Sequence, residues 1–192
     1  MIQIYVMNIS KLKETEFFER AYALSDIRRQ QKADALNTAA GKACCIGAGL
    51  LLSFALRGRG ICVKETEFVY NEFGKPFLKG YEDLFFNLSH SGSMVACVVG
   101  EVPCGIDIQK VQPYNPKLAK RFFASGEAAA LEQMDNEKER DIFFTSLFSS
   151  KESHAKRDGV SAVSILSKEA DKPFVYKVLD VNGEKYVLTV TK

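Results

Sequence analysis

Alternation of apolar and polar positions opens the chain: Met1-Ile2-Gln3-Ile4-Tyr5-Val6 has the period of two that a half-buried strand requires. The period then lengthens, and 11–24 reads as an amphipathic helix. A basic cluster, Asp26-Ile27-Arg28-Arg29-Gln30-Gln31-Lys32, leads into a long helix over about 34–56, which Arg57-Gly58-Arg59-Gly60 ends with a glycine in the left-handed region. Glu67-Phe68-Val69-Tyr70 reads as a strand running into the turn Asn71-Glu72-Phe73-Gly74-Lys75-Pro76. Two buried strands over 84–88 and 94–99 are predicted on either side of a turn, Ser89-His90-Ser91-Gly92-Ser93. Helices follow over 116–123, over 127–134 with Ser125 as N-cap, and from about Glu137 onward. Strands at 173–179 and 184–191 flank Asp180-Val181-Asn182-Gly183, whose Asn-Gly pair signals a hairpin. The mixture of strands and helices makes this an α+β chain, and a similar order of strand, helix and hairpin can be traced before and after about residue 101.

Two stretches combine this patterning with chemistry. Isoleucines on both sides of Asp107, in Cys104-Gly105-Ile106-Asp107-Ile108-Gln109-Lys110, predict a short buried strand that turns Asp107 and Gln109 to one face. In the helix after Glu137, Phe144 and Phe148 form an apolar row that Glu152 and Lys156 continue at four-residue spacing. Glu152 therefore points inward, where a carboxylate is costly unless paired or metal-bound. Magnesium typically takes one or two carboxylates, waters and phosphate oxygens, a requirement that Asp107 and Glu152 meet. A purely structural ion pair of these acids with Lys156 or Lys151 is the alternative.

Composition narrows the classes. At 192 residues there is enough chain for one large domain or two small packed lobes. A net charge of +2 argues against a dedicated nucleic-acid binder. Five cysteines, odd in number and without C-x-x-C spacing, read as reduced thiols in a cytoplasmic protein. The N-terminus lacks the pattern of an export signal. The uncharged run at 43–56 is shorter than a bilayer span and is expected to be a core helix rather than a membrane segment.

The two chemical stretches, together with Phe73-Gly74-Lys75-Pro76 and Asn87-Leu88-Ser89-His90-Ser91, resemble the surfactin-type 4′-phosphopantetheinyl transferases, over roughly residues 28–159 and in the family's order. The resemblance implies two similar lobes, an N-terminal one over 1–100 and a C-terminal one over 101–192, with the site at their interface. It also implies transfer of 4′-phosphopantetheine from coenzyme A to a serine of an acyl or peptidyl carrier protein, releasing 3′,5′-bisphosphoadenosine. Magnesium would be held by Asp107, Gln109 and Glu152, and catalysis carried by Asp107, Glu152 and Lys156. Arg28 (or Arg29), Lys32, Lys75, Ser89, His90 and Lys156 would meet coenzyme A, with Lys32 favoured over the arginines. Lys151 would anchor its helix or contact nucleotide, and His154 would pack or lie on the helix surface. The segment 121–127, with Phe122 and Phe123, corresponds to a region that receives the carrier protein, although both rings also suit a core. A monomer is expected.

Some positions depart from the family's pattern. Gln109 stands where a glutamate is common, supplying a carbonyl oxygen without charge. Asn37 replaces a usual arginine, with Lys42 nearby. Phe148 replaces a usual tryptophan, and the chain after Gly159 lacks the usual glycine-rich loop. These departures keep a second reading open, a catalytically weakened homologue that binds coenzyme A or a carrier protein.

Overall fold

The first strand forms as its alternation predicts: β1 (Gln3–Asn8) runs antiparallel to β5 (Met94–Gly100), which pairs on its other side with β4 (Phe85–Ser91). Every residue of β5 is buried, as befits the central strand, and its unbroken apolar run MVACVVG reflects cover on both faces. This computed structural model describes residues 1–192. By internal packing they divide into two compact units, Met1–Tyr70 with Pro76–Val102, and Asn71–Lys75 with Pro103–Lys192.

In the first unit α1 (Thr15–Leu24), α2 (Ile27–Asp34) and α3 (Ala39–Arg57) precede a short hairpin of β2 (Phe68–Tyr70) and β3 (Pro76–Leu78). Helix α3 lays Ala48, Leu51, Leu52, Ala55 and Leu56 against Phe86, Val95, Cys97 and Val99 of the sheet. It is long and apolar enough to cross a membrane by composition, yet these positions are spent on the core, as expected for 43–56.

Three local expectations shift. The predicted helix from Asp34 is broken: α2 ends at Asp34 and α3 begins only after Thr38, whose hydroxyl accepts a bond from the Gly41 amide at 3.1 Å. Asn37 and Thr38 precede that start, and such side chains favour caps over helix interiors. Lys32 thus sits at the end of a separate eight-residue helix, and Asn37 lies between helices. Residues 10–13 form a 3-10 turn, so the first helix starts at Thr15. Ser89 and His90 lie within β4, paired with Ala96 and Val95, because Gly92 at φ 57° lets two residues close the hairpin.

The second unit pairs β6 (Gly105–Lys110) with β8 (Glu184–Thr191), and β8 with β7 (Val175–Val181), all antiparallel. Asn182 and Gly183, both at positive φ, close the β7–β8 hairpin at the predicted place. Helices α4 (Pro116–Phe122), α5 (Ser125–Glu132), α6 (Glu137–Asp158) and the single turn α7 (Val163–Leu166) complete the unit. Ala124, not Ser125, is the N-cap of α5; the Glu127 carboxylate accepts from the Ala124 amide at 3.0 Å, and Ser125 is already helical. Phe123 is buried beside Phe144 and Phe148, so that ring belongs to the core, while Phe122 is half-buried under Arg121.

Helix α6 packs on β6 and β8. Its start is fixed by Asn136, whose side chain accepts from the amides of Lys138 and Glu139, and its end by Gly159 in the left-handed conformation.

Candidate active site

Asp107 lies mid-strand in β6 with its side chain 1% exposed. The row predicted on α6 exists: Phe144 and Phe148 meet edge to face at 5.2 Å, and Glu152 and Lys156 follow on the same side. Helix and strand converge as the sequence suggests. Lys156 Nζ donates to Asp107 Oδ1 at 2.6 Å and lies 3.7 Å from Glu152 Oε2. Burial raises the affinity of the Glu152 carboxyl for its proton, Asp107 raises it further, and Lys156 only partly offsets both.

Several devices that the sequence reading missed hold this geometry. Gly105 brings β6 against the helix backbone: a Cβ there would sit 1.9 Å from the Ser153 carbonyl oxygen and 2.5 Å from the Arg157 nitrogen. Asp107's cross-strand partner Thr189 donates its hydroxyl to the Ser149 carbonyl at 2.8 Å, and Thr191 donates to the Ser153 carbonyl at 3.0 Å. Hydroxyl-bearing residues at alternate places in the apolar run Val187-Leu188-Thr189-Val190-Thr191 were the available signal, since buried hydroxyls need partners.

Lys151 is an anchor, 2% exposed. Its ammonium bonds Glu127 at 2.7 Å, the Leu166 carbonyl at 2.8 Å and the Lys168 carbonyl, over the Phe123 ring. The chain beyond Gly159 is thereby tied to α6. His154 is buried, with Nδ1 2.8 Å from the Ser150 carbonyl, and serves packing.

Gln109 follows Asp107 by two residues in β6 and, with Gln112, Asn115, Phe144, Thr145 and Phe148, lines a cavity of about 330 Å³. Asp107 and Glu152, joined through Lys156, supply two carboxylates, whereas the cavity that Gln109 lines has neither acid in its lining. The two carboxylates are a hard, all-oxygen donor set, and the Lys156 ammonium already shows that the acids attract a cation. Such a set fits magnesium.

Lys75 belongs to this unit. Its Nζ donates to the Arg157 carbonyl at 2.5 Å, Asn71 Nδ2 donates to the Gly159 carbonyl at 2.9 Å, and burial lowers the lysine's pKa. In the first unit, Lys32 is exposed on α2, while on β4 Ser89 is buried and His90 exposed. Arg28 is largely committed: its guanidinium forks onto Asp26 and donates to the Thr66 and Val63 carbonyls at 2.6 Å each, over the Phe68 ring. Those four bonds leave one of its five N–H donors for anything else.

A family model described as the 4′-phosphopantetheinyl transferase superfamily matches residues 103–189. The 4′-phosphopantetheinyl transferase Sfp of Bacillus subtilis (strain 168) is 37% identical over 114 residues, covering 59% of this chain and 50% of that protein. The 4′-phosphopantetheinyl transferase gsp of Aneurinibacillus migulanus is 30% identical over 146 residues, 76% of this chain and 60% of that protein. AcpT of Salmonella typhi, named as the same kind of transferase, is 35% identical over 115 residues, 58% of this chain and 59% of that protein. The chain thus spans about half the length of the curated relatives that it matches. A solved holo-(acyl-carrier-protein) synthase from Bacillus anthracis, in complex with CoA (3',5'-ADP), covers 51% of this chain and 91% of its own, with 16% identity and a TM-score of 0.38.

Proposed function

We propose, starting from the chain's membership of the surfactin-type 4′-phosphopantetheinyl transferase family, that it transfers 4′-phosphopantetheine from coenzyme A to a serine of an acyl or peptidyl carrier protein. The observation that carries this reading is the meeting of Asp107, Glu152 and Lys156 in the second unit. Phosphoryl transfer asks a protein mainly to position reactants and neutralise charge, and two acids beside one lysine suit that task.

Asp107 and Glu152, with the Gln109 carbonyl, would hold magnesium. When bound there, it would supply positive charge against the diphosphate oxygens. The serine proton would pass to Glu152 as general base. The serine oxygen then bonds the pantetheine phosphorus, the bond to the adenosine-side phosphate breaks, and 3′,5′-bisphosphoadenosine leaves with the electron pair. Lys156 meets phosphate oxygens. Assignment of Lys32, Ser89, His90 and Lys75 to coenzyme A phosphates rests on the resemblance of their motifs; Arg28 would contribute its one remaining N–H and otherwise braces the helix carrying Lys32.

None of the five cysteines is in a disulfide, which supports a reducing, cytoplasmic setting. Incubation with coenzyme A, magnesium and a panel of apo-carrier proteins should add one phosphopantetheine mass to a carrier serine. No adduct on any carrier, with coenzyme A binding retained in calorimetry, would instead favour a binding protein; the uncharged Gln109 is the observation on that side.

A further inference from the structure

Building on the reading that Asp107 and Glu152 hold a divalent cation, we propose that Lys156 is the resident counter-cation of this carboxylate pair, and that metal entry displaces it and frees its ammonium for the anionic oxygens of the substrate. The Asp107 side chain is 1% exposed and anchored mid-strand, so its charge requires a partner close by. Lys156 supplies one at 2.6 Å, and the same nitrogen lies 3.7 Å from Glu152. The three groups are not equally mobile. Asp107 is short and fixed by β6, whereas Lys156 has a flexible four-carbon stem and is 28% exposed, so its head can swing outward while α6 stays clamped by the Thr189 and Thr191 hydroxyls.

An ammonium and a divalent ion ask for the same carboxylate lone pairs. Magnesium bonds oxygen at about 2.0–2.1 Å, so an ion on Asp107 and Glu152 would lie against a nitrogen that stayed bonded to Asp107 and paired with Glu152, and the two cations would repel. The two occupancies are therefore negatively linked, each weakening the other by the same factor. The consequence is an ordered device: without metal, the lysine offsets one of the two carboxylate charges and ties the strand to the helix, and with metal it becomes available to phosphate oxygens.

Manganese binding followed by electron paramagnetic resonance, and magnesium binding by calorimetry, test this on the whole chain without coenzyme A. Lys156→Met should bind the metal about tenfold more tightly, the order expected for removing one close, partly exposed competing charge. Lys156→Arg, which keeps the charge, should bind no more tightly than the unmodified protein. Circular dichroism checks that Lys156→Met is folded, with Lys156→Gln as the substitute if it is not. In the unmodified protein the Lys156 Nζ resonance, assigned by its absence in Lys156→Arg, should move toward that of exposed lysines as magnesium is added. Equal or weaker metal binding by Lys156→Met, with an unmoved Nζ resonance, overturns displacement and leaves the metal reading intact. Metal binding by neither protein overturns the metal reading and displacement with it.

Discussion

Glu152 faces a second carboxylate and sits partly out of water, so folding raises its pKa. For an acid with a raised folded pKa, the folded state holds a proton that the unfolded state has already released. Stability without divalent ions should therefore fall as pH rises from the ordinary glutamate range through the raised value. Glu152→Gln removes this limb, and thermal unfolding across pH should show a flatter profile over that window than the unmodified protein. Gln109 invites the opposite change. Gln109→Glu adds a charged oxygen to the donor set and should lower the magnesium concentration for half-maximal transfer by roughly tenfold, or about 1.4 kcal/mol. An unchanged requirement would remove Gln109 from the set.

Helix α6 is the element on which the site depends, because it carries both Glu152 and Lys156 and presses its backbone against β6 at Gly105. Substitution of Gly105 by alanine drives a methyl into the Ser153 carbonyl and the Arg157 nitrogen, atoms that move only if the helix moves. The cost should be about 1–3 kcal/mol or more, read as a lower unfolding temperature. Metal affinity should fall as well, since the helix acid is pushed away from the strand acid. A stable Gly105→Ala protein with unaltered metal binding would show that the close approach has no bearing on the site. At the other side of α6, Lys151 holds the Leu166 and Lys168 carbonyls through an ammonium that is out of water. That makes the segment after Gly159 part of the helix's support, although it carries none of the glycine-rich character expected there.

At the scale of the whole molecule, each unit has its own three-stranded antiparallel sheet, its own long helix and its own apolar core. Leu52, 1% exposed, lies in the first of these cores. Leu52→Ala should cost about 2–5 kcal/mol. Hydrogen exchange should show lost protection for amides of β4 and β5 while those of β6 and β8 retain theirs, as expected for cooperative units of separate cores. Equal loss in both sheets would mean that the two cores unfold as one.

By itself the sequence determined the features that depend on neighbours along the chain. Alternation placed β1 and β6, the Asn-Gly pair placed the last hairpin, and the four-residue row from Phe144 to Lys156 aimed Glu152 inward, because side-chain direction follows from a strand's or helix's own period. Local signals failed at the break before Thr38 and at Ser89-His90, where a cap and a two-residue turn outweighed propensity. Tertiary structure alone decided which partners distant groups would find. Arg28 is taken by carbonyls 35 and 38 residues away, Lys151 by carbonyls 15 and 17 residues on, and Gly105 by a helix backbone about fifty residues later. A carbonyl oxygen carries no residue identity, so no pattern in the sequence marks which one a buried cation will meet.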